Sequence, residues 1–325
     1  TQTNFPALIY LPADGDLAAY AQADGDDILF LDSTGAKLAH EIEKYTSATG
    51  QLYAWVKIPS LSASANTVIY MYYGNASCAN QQNGTAVWDS NFKMVQHLDE
   101  TSGTHYDATV NAQNSTAINV TAQGSATGNS DGADAFNGSN NYVQTGDPGT
   151  FGSSANFTLE AWFKTNSNTT RQFILSDEQH NYPYGIVRIE YRGDQPTKIL
   201  EFSIRYKYGG TIYTASSTTT ITDTNFHYVA VKRSGSTIYI YTDGANERTT
   251  TAISLDLGNN VNFTIGNQSS SLNTYGFNGI IDEVRISNIA RSADWIKTCY
   301  NNQSAPASYE SLGTQTATTG ISVAG

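Results

Sequence analysis

Apolar and polar residues alternate along most of the chain, with the period of two that is typical of half-buried β-strands. Four such runs come before residue 75, and they cover Phe5–Leu11, Asp27–Leu31, Gln51–Ile58 and Asn66–Gly74. Many shorter runs follow from Trp88 onward, separated by Gly, Asn and Asp turn signals. Short strands joined by tight turns are typical of a β-sandwich.

Only one segment has a convincing helical pattern. Residues Arg291–Tyr300 predict a short C-terminal helix, with Ser292 as its N-cap. Because no series of helices alternates with the strands, the sequence argues against an α/β enzyme fold. We therefore predict an all-β chain that ends in one short helix.

The charge excludes several classes of protein. The chain has 17 Lys and Arg against 29 Asp and Glu, so its formal net charge is −12. Nucleic-acid binders and proteins that dock on anionic lipid need a basic surface, and we expect neither function. No apolar run approaches the roughly 18 residues of a membrane-spanning helix, so we expect no membrane insertion.

The low charged fraction favours an extracellular or cell-surface protein. Charged residues make up 14% of the chain, against about 25% in an average soluble domain. Ser, Thr, Asn and Tyr take their place. The start at Thr1, with neither an initiator Met nor a signal sequence, suggests a mature or excised fragment.

The two cysteines, Cys78 and Cys299, are far apart in the sequence, which excludes a CxxC redox or zinc motif. In an oxidising compartment they could form a disulfide, and we predict that bridge. Two free thiols are the alternative.

Asn-x-Ser/Thr sequons are potential glycosylation sites in a secreted protein. They occur at Asn75, Asn83, Asn114, Asn119, Asn137, Asn156, Asn168, Asn262, Asn267 and Asn302. Chance alone predicts about six in a chain so rich in Asn, Ser and Thr.

The first 92 residues resemble a known family of β domains. The resemblance rests on the Asn-Phe-Pro turn at Asn4–Leu8 and on the segments Asp24–Phe30, His40–Glu43, Ala54–Pro59 and Ile69–Asn75. These residues are similar to those of the domain-of-unknown-function 2341 family. The resemblance implies a small surface or secreted β-sandwich at residues 1–92 with no established activity. Such domains usually have a further strand before the Asn-Phe-Pro turn.

Residues 93–312 resemble the laminin-G or concanavalin-A-like jelly roll. The matching segments are Val95–Glu100, Ala135–Val143, Phe157–Phe163, His227–Val231 and Gly279–Ile286. The resemblance implies a β-sandwich that binds glycans, binds proteins or packs beside another domain. We predict that residues 313–325 form an extended tail.

Catalytic signatures are absent from the sequence. A glycoside hydrolase of this fold needs two carboxyl groups across the scissile bond. Glu160 stands alone in its strand, and the neighbours Asp282 and Glu283 should project from opposite faces. The sequence also lacks a G-x-S-x-G elbow and an HExxH motif. We expect no catalytic residues; His97 and His227, in strand patterns, should pack or hydrogen-bond there.

The resemblance to jelly rolls implies one structural calcium ion. Related domains often hold such an ion between an early loop and the last strand, which points to Asp107 and Asp282, with Asp99 as a further ligand. Carboxylates and loop carbonyls are the ligands that calcium prefers. The alternative is that Asp99 and Asp107 form turns and Asp282 hydrogen-bonds locally.

Four tyrosines are candidates for a glycan-binding platform, because sugar rings stack on exposed aromatic rings. They are Tyr182, Tyr184, Tyr206 and Tyr208. The alternative is that most of the 21 tyrosines simply cover strand faces.

Three functions remain open. The main hypothesis is a non-catalytic cell-surface structural or adhesive protein. It could be a filament subunit that self-associates head to tail, with the tail Thr314–Gly325 completing the first domain of the next subunit. The alternative is a lectin-like module of a larger secreted protein, and a glycoside hydrolase is the third.

Overall fold

The computed structural model describes residues 1–149, 156–178, 185–205, 210–251 and 263–316. It is mostly β, with 46% strand and 9% helix, so the all-β prediction is confirmed. No helix in these described ranges is long and apolar enough to cross a membrane.

The N-terminal unit contains two antiparallel sheets. Its strands are β1 (Gln2–Leu11), β2 (Leu29–Asp32), β3 (Lys37–Leu38), β4 (His40–Thr46), β5 (Gln51–Leu61) and β6 (Ile69–Tyr72). One sheet has the order β1-β5-β4, and the other has the order β3-β2-β6. A short helix, α1 (Gly15–Tyr20), connects them, and the Asp14 carboxylate caps it by accepting from the backbone N–H groups of Asp16 and Leu17.

The rest of the chain forms a two-sheet sandwich. The eight-stranded sheet contains β7 (Phe92–Gln96), β9 (Ala122–Thr127), β10 (Gly132–Asn137), β12 (Phe157–Thr165), β17 (His227–Ser234), β18 (Thr237–Thr242), β19 (Ala245–Thr251) and β21 (Asn278–Ser287). The seven-stranded sheet contains β8 (Ser115–Asn119), β11 (Tyr142–Thr145), β13 (Arg171–Glu178), β14 (Ile186–Arg192), β15 (Ile199–Arg205), β16 (Tyr213–Ser216) and β20 (Thr264–Ile265). Phe157, Leu159, Ala161 and Phe163 of β12 alternate into the core between the sheets.

The chain ends in two helices, α2 (Ala293–Ser304) and α3 (Pro306–Tyr309). The Ser292 hydroxyl accepts from the Trp295 backbone N–H at 3.0 Å, so the predicted N-cap is confirmed. The helix extends past Tyr300 because its inner face is buried against the rest of the protein. Helix propensity alone does not predict this extension.

A second hydrophobic core joins the two units. The other face of the eight-stranded sheet carries Trp162, Tyr228 and Tyr241, all nearly fully buried. They belong to one cluster with Trp88 from the N-terminal segment and Trp295 from α2. The predicted boundary at residue 92 therefore runs through a continuous core, and the two units pack as a single body around it.

The outer edge of β1 is partly covered by side chains from the C-terminal helices. The Asn302 amide accepts from the Leu8 N–H at 2.7 Å and donates to the Leu8 carbonyl at 2.9 Å. The Tyr10 N–H donates to Glu310 Oε1 at 2.9 Å. These contacts satisfy backbone groups that an open edge would leave free to pair with another chain.

The strand-donation hypothesis therefore stays a prediction. Residues 317–325 of the tail lie outside the described ranges. A donor strand at the β1 edge would have to displace Asn302 and Glu310 from their backbone partners.

The predicted disulfide is wrong, because Cys78 and Cys299 are both free thiols. Cys299 is buried on α2. Burial raises the pKa of its thiol, and the nearby Glu160 carboxylate raises this pKa further. Cys78 lies in the loop after β6, and its carbonyl accepts from the Gln22 side chain.

Two of the ten sequon asparagines are buried in the structure. Asn267 and Asn302 are 0% and 1% exposed. Both amides are engaged in buried hydrogen bonds to the backbone, which leaves no room for a glycan. Asn262 lies outside the described residues.

Replacing Asn302 tests the cover of the β1 edge. Asn302→Ala leaves the buried N–H and C=O of Leu8 without partners, and we expect it to lower the free energy of unfolding by about 2 to 4 kcal/mol. Asn301→Ala is the matched control, because Asn301 is the exposed neighbour in the same helix and should change the stability by less than about 0.5 kcal/mol. Urea unfolding measures both, and equal effects would contradict the edge contact.

Glu310 predicts a pH dependence of stability. Burial raises the pKa of Glu310 from 4.5 to about 7, so the folded state favours the protonated carboxyl. Its stabilising contribution is fully present below pH 4.5 and is lost as the pH rises through about 7. Glu310→Gln cannot ionise, and we expect it to be more stable than the parent by about 1 to 3 kcal/mol at pH 8, with little difference at pH 4. A difference that is independent of pH in urea titrations would count against this.

Candidate functional site

A cleft of about 380 Å³ opens where the two units meet. Glu41, Glu43 and Thr85 line it from the N-terminal unit. His97, Asp99, Glu100 and Tyr106 line it from the segment that follows β7. Together with Asp107, five carboxyl groups line the cleft beside one imidazole, which makes its lining strongly acidic.

Two tryptophans hold the carboxylates of β4 in place. Glu41 and Glu43 both line the cleft, and the pairing of β4 with β5 shifts register at Glu43. The Trp88 indole N–H donates to Glu41 Oε2 at 2.9 Å, and the Trp55 indole N–H donates to Glu43 Oε2 at 2.7 Å. The second oxygen of Glu43, Oε1, is buried and has no hydrogen-bond partner.

His97 lies at the floor of the cleft, just after β7. Its ring stacks on Trp55, with the centroids 6.0 Å apart and the planes inclined by 20°. Its Nδ1 donates to Glu283 Oε1 at 2.6 Å. The other ring nitrogen, Nε2, has no hydrogen-bond partner and lies 3.6 Å from Glu41 Oε2.

A bulge in β21 places Glu283 beside His97. Glu283 has a φ of +52°, and the pairing of β21 with β12 shifts register next to it. Glu283 Oε1 contacts His97, whereas the neighbouring Asp282 accepts from the backbone N–H groups of residues 129 and 130. A left-handed backbone at a non-glycine residue costs about 1 to 3 kcal/mol, so the surrounding contacts must hold it in place.

Arg285 supplies the second cation of the cluster. Its guanidinium lies over Trp55 at 4.3 Å and over Trp88 at 5.0 Å from the ring centroids. Its Nε donates to Glu283 Oε2 at 3.1 Å. Glu283 is therefore flanked by His97 on one oxygen and by Arg285 on the other.

The protonation equilibria reflect an excess of buried carboxyl groups. Burial, reinforced by Glu283, raises the pKa of Glu43 well above its usual range. Burial also raises the pKa of Asp99 to about 6. Burial alone would lower the pKa of His97, but Glu283 and Glu43 raise it well above its ordinary value. Perturbed groups gathered in a cleft are a physical mark of a functional site.

The three predicted calcium ligands occupy different environments. Asp107 accepts four hydrogen bonds from its own loop and from β7, so it organises that loop. Like Asp107, Asp99 lines the cleft. Asp282 accepts from the backbone N–H groups of residues 129 and 130.

A different set of residues forms the candidate metal site. Within the described ranges, the ligand atoms of Glu43, His97 and Glu283 lie within 4.8 Å of one another. Asp99, Asp107 and Asp282 are not part of this group. A calcium ion at those three residues stays a prediction.

The predicted glycan platform lies outside the described residues, so its geometry is untested. This holds for all four of its members, Tyr182, Tyr184, Tyr206 and Tyr208.

Sequence reasoning missed the cluster because its members are distant along the chain. Glu41 and Glu43, His97 and Glu283 come from three separate segments. One local signal existed: His40-Glu41-Ile42-Glu43 places two acids on one face of a strand that also carries apolar residues. Two carboxylates on one face of a half-buried strand indicate a buried polar partner.

Two family models match the chain. Residues 24–115 match the domain of unknown function DUF2341. Residues 137–297 match Laminin_G_3, described as the concanavalin A-like lectin/glucanases superfamily. No curated protein shows a significant match.

Solved structures share the fold at low sequence identity. The binding domain of Paraclostridial mosquitocidal protein 1 is 11% identical with a TM-score of 0.50, and the match covers 65% of this chain and 52% of that one. Domain 4 of AbnA, an extracellular GH43 arabinanase from Geobacillus stearothermophilus solved with arabinotriose, is 19% identical with a TM-score of 0.49, covering 64% and 97%. The chain thus spans about half the length of the mosquitocidal binding domain.

Replacing Glu283 tests the buried cluster. Glu283→Gln removes the charge between His97 and Arg285, and we expect it to lower the free energy of unfolding by about 3 to 5 kcal/mol because two buried cations lose their counter-ion. Glu201→Gln is the control, since its pair with Arg192 is partly exposed and should contribute about 1 kcal/mol or less. Similar losses in denaturant unfolding would show that the cluster has no special role in stability.

Proposed function

Since the chain carries a DUF2341 domain followed by a domain of the concanavalin A-like lectin/glucanases superfamily, we propose that it is a non-catalytic carbohydrate-binding module of an extracellular or cell-surface protein. The observation that carries the proposal is the polar cleft between the two units. An adhesive role of the whole protein would follow from binding of this kind.

The cleft has the chemistry that a sugar ring requires. Its volume of about 380 Å³ lies at the lower end of the range of small-molecule sites. Carboxylates accept hydrogen bonds from sugar hydroxyls, and Glu41 and Asp99 supply them along the walls. Tyr106 is 62% exposed, so its ring is available to stack on a pyranose face.

The charge of the cleft selects among glycans. Carboxylates on its walls repel the carboxylates of sialic and uronic acids, which makes a neutral ligand the favoured class. The His105 imidazole pairs with Glu100 at 2.7 Å and with Asp134 at 2.9 Å. It therefore does not neutralise the negative charge of the other carboxylates that line the cleft.

Binding fits the described residues better than glycoside hydrolysis. The Glu43 and Glu283 side chains are 0% exposed, which keeps them from a glycosidic bond. Glu160 is 1% exposed and accepts from the Tyr228 hydroxyl in the core between the units. Asp282 is 0% exposed. Hydrolysis requires a pair of reachable carboxyl groups across a bond, and none of these four carboxyl groups is exposed.

A glycan array followed by calorimetry tests the proposal. We expect neutral glycans to bind and sialylated or uronic acid glycans not to bind. Tyr106→Ala should weaken binding of the best ligand by about 3- to 10-fold through lost stacking. Tyr20→Ala is the matched control, because Tyr20 is 65% exposed and does not line the cleft.

Two results would overturn the proposal. One is an array with no neutral glycan bound. The other is binding that Tyr106→Ala and Tyr20→Ala weaken equally, which would place the ligand elsewhere on the surface.

A further inference from the structure

We propose that the floor of the cleft binds a divalent transition-metal ion through His97 Nε2, Glu41 and Glu43, with Glu283 orienting the imidazole. This inference does not depend on glycan binding. It rests on the contacts of Glu41 and Glu43 from the N-terminal unit and of His97 and Glu283 from the sandwich. Two buried atoms of this group, His97 Nε2 and Glu43 Oε1, have no hydrogen-bond partner.

The histidines of the chain differ in how their ring nitrogens are used. His105 pairs both nitrogens with carboxylates, through Glu100 and Asp134. His227 does the same through Asp243 and Asp223. His97 pairs only Nδ1, and its Nε2 is buried without a hydrogen-bond partner. Among the described histidines that contact carboxylates, His97 alone keeps a nitrogen for a ligand.

The contact between His97 and Glu283 is the one that metal-binding histidines require. A ligating imidazole usually donates its other N–H to a carboxylate, which fixes the tautomer and the direction of the lone pair. The 2.6 Å hydrogen bond from Nδ1 to Glu283 leaves Nε2 as the ligand atom, and a metal ion binds there by displacing the Nε2 proton of the imidazolium. Arg285 in turn holds the second oxygen of Glu283.

The Glu41 carboxylate lies at the distance from His97 Nε2 that two ligands of one metal ion would have. Two ligand atoms bound tetrahedrally at about 2.1 Å lie roughly 3.4 Å apart. The distance from His97 Nε2 to Glu41 Oε2 is 3.6 Å. The ion therefore fits between these two atoms with little movement of either side chain.

Glu43 supplies a further carboxylate, whose Oε2 lies 3.8 Å from His97 Nδ1, so ligation beside Nε2 requires its Oε1 to turn toward the ion. Its side chain is fully buried, and Oε1 has no hydrogen-bond partner although Oε2 accepts from Trp55. A buried carboxylate oxygen without a partner is costly unless a cation or proton satisfies it. The indole N–H groups of Trp55 and Trp88 donate to Glu43 and Glu41, and hydrogen bonds of this kind fix the orientation of carboxylates that bind a metal ion.

The donor set selects the class of metal. One imidazole nitrogen with two carboxylates suits the borderline ion Zn²⁺, and the harder Mn²⁺ at lower affinity. Calcium prefers six to eight oxygen ligands, which this site does not provide. Because the site opens into the cleft, positions remain for water or for an oxygen of a bound ligand.

Isothermal titration of the full chain with Zn²⁺, after treatment with a chelator and without any glycan, tests the proposal. We expect one Zn²⁺ per chain, with Mn²⁺ weaker and Ca²⁺ weaker still. Glu41→Gln keeps an acceptor for the Trp88 indole but loses its charge, and it should weaken Zn²⁺ binding by at least about tenfold. His97→Gln should abolish binding, and thermal unfolding of each variant checks that it is folded.

Glu100→Gln is the matched control. It removes one negative charge from the same cleft, but Glu100 is committed to His105 and to the Tyr106 N–H. Binding close to that of the parent is the expected result.

Three outcomes overturn the metal site. They are the absence of stoichiometric Zn²⁺ binding by the parent, equal losses in Glu41→Gln and Glu100→Gln, and tighter binding of Ca²⁺ than of Zn²⁺. Equal losses would mean that the cleft merely attracts cations through its charge. Because glycan is absent from these titrations, failure of the metal site leaves the carbohydrate proposal to its own test.

Discussion

Trp162, Tyr228 and Tyr241 project from the eight-stranded sheet on the side that faces away from the sandwich interior. In an isolated sandwich this side would face water, and so large an apolar surface would favour association with other molecules. Here the N-terminal sheets and α2 cover it, so that the second core contains residues from both ends of the chain. The contact between Leu8 of β1 and Asn302 of α2 follows from this covering.

Covering the sheet also buries charges. Arg285 and Glu283 are 2% and 1% exposed, and His97 is 6% exposed. Moving each ion out of water costs several kcal/mol, which opposite charges offset only if they are held close and hydrogen-bonded. The bulge at Glu283 and the stacking of Arg285 over Trp55 supply that geometry. The carboxyl groups still outnumber the cations, and this excess distinguishes the cluster from an ordinary ion pair.

Local patterns predicted the elements whose apolar residues alternate clearly. β1, β5 and α2 lie where the sequence indicates them, because burial of one face enforces the period. β4 was not recognised as a strand, since its acids face the cleft and break the apolar alternation. The bulge in β21 could not be foreseen, because the sequence Asp282-Glu283 contains no glycine to mark a left-handed backbone. Cys78 and Cys299 are free thiols because of where the fold places them, and two cysteines far apart in a sequence do not show whether the fold brings them together.

The position of the cleft links its chemistry to the packing of the two units. Glu41 and Glu43 come from the N-terminal sheets, whereas His97 and Glu283 come from strands of the sandwich or their ends. Neither unit alone holds the complete set of ligand atoms. A molecule or ion that binds the assembled cleft therefore stabilises the packing of the units by mass action. By the same linkage, a substitution in the second core, far from the cleft, weakens binding to the extent that it loosens this packing.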